Sequence, residues 1–65
     1  MNITVFIERN NEIKHVYVGS INEIFEKLNI DRNVVLITRN NELLNGDEKL
    51  RENDEIKLLS VISGG

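Results

Sequence analysis

Sixty-five residues with 40% hydrophobic and 29% charged side chains, a formal charge of −3 and no cysteine describe one small domain with a single core. They exclude disulfide and thiolate–zinc frameworks and leave little room for the enclosed pocket of an enzyme built from several elements. The eight Lys and Arg are dispersed and no apolar run approaches the ~20 residues of a bilayer span, so the expected protein is cytoplasmic, binds neither nucleic acid nor membrane, and meets a basic surface on another protein.

The first segment, ITVFIE, alternates with period two, placing Ile3, Val5 and Ile7 on one face and Thr4, Phe6 and Glu8 on the other. It reads as a strand. Arg9-Asn10-Asn11-Glu12 follows as a turn, because asparagine tolerates left-handed backbone. A second strand runs from Ile13 to Val18, with Val16 and Val18 toward the core and His15 and Tyr17 on the other side. Gly19-Ser20 breaks it. Ser20 and Glu23 then form an S-x-x-E capping box, and Ile21, Ile24, Phe25 and Leu28 make the apolar stripe of a helix ending near Asn29. Glu23 and Lys27 are spaced for an ion pair on its exposed side.

NVVLIT restores a strand, and its unbroken Val34-Val35-Leu36-Ile37 run predicts burial on both faces. Arg39-Asn40-Asn41-Glu42 repeats the first turn, Asn45-Gly46 marks another, and Leu50 is the anchor of the polar stretch DEKLREND. EIKLLSVI is a long last strand. The order ββαββ implies an α+β domain, one mixed sheet packed on one helix, over residues 1–60, with 61–65 as a flexible tail.

That last strand carries more apolar residues than one face can use. Ile56, Leu58 and Ile62 share one parity, leaving Leu59 and Val61 on the other with Lys57 and Ser63. If the first and last strands are neighbours, Phe6, Leu59 and Val61 form an outward apolar patch leading to the terminus, a binding surface unless a bulge or loop covers it. The chain then ends Ser63-Gly64-Gly65. Two glycines can thread a narrow channel because neither has a Cβ, and a terminal carboxylate is ionised at neutral pH. It becomes reactive only once an enzyme converts it to a mixed anhydride, most simply by its attack on the α-phosphorus of a nucleotide.

The ββαββ order, the length and the ending NDEIKLLSVISGG resemble the β-grasp ubiquitin-like proteins, most closely the sulfur carriers of thiamine and molybdopterin synthesis (ThiS and MoaD types). VISGG is nearer the thiamine-type ending, since the molybdopterin type has a Pro-Pro there and this chain has no proline. The arginines that precede the glycines of ubiquitin are missing. The resemblance implies that an E1-like enzyme adenylates Gly65 with ATP and Mg²⁺, the protein itself holding no cofactor. A persulfide donor then yields a terminal thiocarboxylate, which a downstream synthase or tRNA-thiolation enzyme passes to a thiazole, a pterin or a tRNA base. Gly64 and Gly65 are the reactive end; Phe6, Leu59, Val61, Ile62 and Ser63 form the docking side; Asp54 and Glu55 would meet basic residues of the enzyme.

Two other readings stay open. After adenylation the acyl group could pass to lysines of target proteins, making the chain a ubiquitin-like modifier. Or it is a plain interaction domain whose glycines are incidental, although a Gly-Gly end arises in only roughly 0.5% of chains at ordinary usage. A metal site is not expected, because His15 stands alone and the acids lack the spacing of a calcium or zinc site.

Overall fold

A computed structural model describes residues 1–61. The predictions for Ile62, Ser63, Gly64 and Gly65 therefore lie outside the described residues. Strand β1 (Asn2–Ile7) has the burial alternation its sequence predicts, with Ile3, Val5 and Ile7 all buried. A short 3-10 turn over Glu8–Asn10 and left-handed Asn11 (φ 53°) lead into β2 (Glu12–Tyr17). The two strands pair antiparallel, with Ile3 opposite Val16 and Thr4 opposite His15. Val16 and Val18 thus turn to the core, while His15 and Tyr17 take the other face.

Helix α1 (Ile21–Leu28) starts at Ser20, whose Oγ accepts from the Glu23 N–H at 3.4 Å. The reciprocal bond of the box falls one residue early: the Glu23 carboxylate accepts from the N–H of Gly19 at 2.9 Å. That bond commits Glu23 to the cap. Among the described residues it makes no ion pair with Lys27, contrary to the expectation from their spacing. Asn29 stops the helix in left-handed conformation (φ 54°). Ile21, Ile24 and Phe25 are buried against the sheet, each such side chain contributing about 1.5–3 kcal/mol of transfer free energy.

After a second 3-10 turn (Arg32–Val34), β3 (Val35–Arg39) and the two-residue β4 (Glu42–Leu43) form a tight hairpin across Asn40-Asn41. A long connection, pinned by buried Leu50, returns the chain to β5 (Glu55–Ser60). The sheet order is β2-β1-β5-β3-β4; β5 lies parallel to β1 and antiparallel to β3. This is the mixed sheet on one helix that the sequence predicts. The core joins β1, α1 and β5 through Val5, Ile24, Ile56 and Leu58, all at most 1% exposed.

One expectation for β3 fails. Val34 belongs to the 3-10 turn, and Leu36 is 42% exposed, so the Val-Val-Leu-Ile run is not buried on both faces. The sheet has a helix on one side only. Ile37 faces α1 and is buried, while Leu36, one residue away, must face outward. The long connection is also tied to the helix. Arg32 bonds the Asn22 side chain, sits 5.6 Å from the Phe25 ring centre, and lies so close over Gly46 that a Cβ there would collide with its guanidinium.

Candidate functional site

Register sorts every strand residue onto one of two faces. Opposite the helix, Ile13 of β2, Phe6 of β1, Lys57 of β5, Thr38 of β3 and Leu43 of β4 lie in one line across the sheet. Leu59 and Leu36 are paired one step nearer the chain end, and Val61 follows, its N–H bonded to the Val34 carbonyl at 3.0 Å. Ile13, Leu36, Leu43 and Val61 are exposed, whereas Phe6 and Leu59 are half-buried. The first and last strands are indeed neighbours, so Phe6, Leu59 and Val61 belong to one open apolar face. Leu36, Ile13 and Leu43 extend it. Sequence reasoning missed Leu36 because an apolar run hides its parity; pairing with Leu59 supplies it.

Polar groups also stand on this face. The Thr38 hydroxyl donates to the Lys57 carbonyl at 3.2 Å, and the Lys57 ammonium stands 5.6 Å from the Phe6 ring centre. Thr4, Phe6, Ile13, Thr38 and Lys57 line an open recess of about 430 Å³. His15 Nδ1 lies 3.3 Å from Thr4 Oγ1. Among the described residues no group of three or more His, Asp and Glu is arranged to hold a metal, and no helix is long and apolar enough to cross a membrane.

The two acids proposed to meet a partner have different fates. Glu55 is exposed on the open face beside Thr4, at the end of β5 away from the tail. Asp54 is already paired within the chain. Its Oδ2 accepts from the Arg51 N–H at 2.8 Å and from Arg39 at 3.1 Å, with both charged side chains at most 20% exposed. Arg39 also donates to the Lys49 carbonyl at 3.0 Å, so the Asp54–Arg39 pair closes a loop. Nearby, the Glu52 carboxylate is held below its ordinary pKa, first by the backbone N–H of Asn2 and then by the Asn2 side-chain amide, both at 2.9 Å. These contacts fasten the start of β1 to the loop before β5.

A face of this kind leading to a chain end fits the similarities with known proteins. The chain is 29% identical over all 65 residues, and over the full length of the relative, to the sulfur carrier protein TtuB of Thermus thermophilus. Its fold matches a chain from the structure of the protein–protein complex of subunits 1 and 2 of molybdopterin-converting factor from Helicobacter pylori, with a TM-score of 0.78, 23% identity and full coverage of both chains. The ThiS family matches residues 4–65, from within β1 through both terminal glycines. On that near-complete match the chain belongs to the ThiS family, a β-grasp family of sulfur carriers rather than enzymes.

Proposed function

We propose that the carboxylate of Gly65 is the group that carries sulfur. Its oxygen attacks the α-phosphorus of ATP on an E1-like enzyme, which supplies Mg²⁺; pyrophosphate leaves and an acyl-adenylate forms. A persulfide sulfur then attacks the acyl carbon and expels AMP. A second thiol of the donor attacks the donor's own sulfur in the resulting acyl disulfide, which leaves the thiocarboxylate on this chain and a disulfide on the donor. The protein contributes the acyl terminus and a docking face, and the partner contributes catalysis. The observation that carries this reading is the family match running through Gly64 and Gly65. The name of the Thermus relative and the composition of the Helicobacter complex support it as analogies.

The apolar strip formed by Leu36, Leu59 and Val61 is the surface on which the activating enzyme would close. Leu59, Leu36 and Val61 stand at the last-strand end of the open face, where a bound partner would also hold the terminus. Glu55 is then the acid left to meet a basic side chain of the enzyme, since Asp54 is engaged internally. Intact-mass measurement of the protein isolated from its own host tests the chemistry. One oxygen exchanged for sulfur at Gly65 is expected. Isopeptide-linked forms on target lysines, with no such exchange, would favour the modifier reading, and neither product would overturn both. Leu36→Asp and Val61→Asp are expected to leave the helix signal in circular dichroism intact and to lower the adenylation rate at least ~10-fold, the scale of losing an interface anchor. Unchanged rates would remove the face from the proposal.

A further inference from the structure

The Leu36, Leu59 and Val61 strip does not use the outer edge of β2, and among the described residues nothing pairs with that edge. Its hydrogen-bonding phase follows from the first pair of the ladder. The Met1 ammonium donates to the Val18 carbonyl at 3.0 Å and the Val18 N–H donates back to Met1 at 3.0 Å, so these two residues form a bonded pair. Bonded and non-bonded pairs alternate along an antiparallel ladder. Opposite Ile3, Val5 and Ile7, therefore, Val16, Lys14 and Glu12 spend their main-chain groups on β1. Ile13, His15 and Tyr17 turn theirs outward.

The same three residues are exposed, and Ile13 and Tyr17 are among the most exposed large hydrophobic residues described, at 61% and 68%. They flank His15 at equal spacing. An antiparallel two-fold axis through His15 would thus set Ile13 of each copy against Tyr17 of the other, on one face. It would satisfy the outward N–H and C=O groups of all three residues. Isoleucine opposite tyrosine is a favourable cross-strand pair. The charged residues of β2, Glu12 and Lys14, are paired with each other at 3.3 Å on the opposite face, so they do not oppose this contact. An unprotected strand with this pattern is a template for pairing.

We propose that β2 is the seam of a symmetric dimer, in which two copies join edge to edge into one continuous sheet. β5 lies two strands away from the seam, so the Leu36–Leu59 strip remains open in both copies. A closed, self-complementary contact of this kind ends at two chains rather than growing into a fibre.

The test is the mass of the full chain by light scattering and sedimentation from micromolar to millimolar concentration. The mass is expected to double as concentration rises. His15→Pro removes a donor that faces outward, a position where an edge strand tolerates proline, and is expected to abolish the doubling while retaining the parent's circular dichroism. A second arm does not depend on that variant folding. The protein has no cysteine, so His15→Cys oxidised with diamide is expected to give a covalent dimer in high yield, whereas Leu43→Cys on the other edge strand gives little. A single-chain mass at every concentration would overturn the proposal. So would doubling that survives in a folded His15→Pro, or equal cross-linking at positions 43 and 15.

Discussion

The tetrapeptide Arg-Asn-Asn-Glu occurs twice in this chain and folds in two ways. At Arg39–Glu42 it is a two-residue hairpin loop: Arg39 and Glu42 are the closing pair, and Asn40 and Asn41 both take positive φ, as a type I′ turn requires. At Arg9–Glu12 the closing pair is Ile7 with Glu12, Arg9 and Asn10 lie in a 3-10 turn, and only Asn11 is left-handed. The letters are the same and the neighbours differ. Thr38 is β-branched, buried and bonded through its hydroxyl to β5, and β5 pairs with β3 as far as Arg39. Pairing of β5 with β1 ends at Ile7, and among the described residues the exposed Glu8 has no comparable tether, so the chain coils before it turns. Asparagine permits the left-handed corner; strand pairing decides where the corner falls.

The largest expected difference between the turns lies in their arginines. Arg39→Ala strands the half-buried Asp54 carboxylate and frees the Lys49 carbonyl, and should destabilise by about 2 kcal/mol in urea unfolding. Arg9 is exposed, and Arg9→Ala should stay within about 0.5 kcal/mol of the parent. Equal losses would mean that the ion pair does not hold the second turn. Next come the asparagines. Asn40→Ala and Asn41→Ala each remove the side-chain amide that eases a positive φ and should cost up to about 1 kcal/mol; the first turn has only Asn11 to lose in this way.

The smallest effect concerns the loop that Arg39 supports. Glu52 has a lowered folded-state pKa through its bonds from Asn2, so its contribution is present above the unfolded pKa and is lost as pH falls through the folded one. Glu52→Gln should therefore be less stable than the parent at neutral pH, and the two melting curves should converge in acid. Curves that stay parallel down to acid pH would show that the tether adds nothing.

Where local periodicity and burial point the same way, the sequence reads correctly. The alternation of β1, the i, i+3, i+4, i+7 stripe of α1 with its Ser20 and Asn29 ends, and the Leu50 anchor all appear as expected. So does the outward parity of Phe6, Leu59 and Val61, because a period of two needs no knowledge of neighbours. What stays hidden depends on partners far along the chain. Leu36 lies in an apolar run whose wet side is set by a helix on only one face of the sheet. Asp54 reads as a free acid because nothing local announces Arg39, fifteen residues earlier in the chain. Glu23 has two possible partners within four residues, and the cap takes it.

Every described position with a positive φ is an asparagine: Asn11, Asn29, Asn40, Asn41 and Asn53. Each of these left-handed corners thus carries a side-chain amide that water can hydrolyse, and asparagine is among the residues least durable in heat. Prolonged incubation at high temperature should wear this protein out chemically at its bends before its interior yields, so that activity lost slowly on heating would not return on cooling.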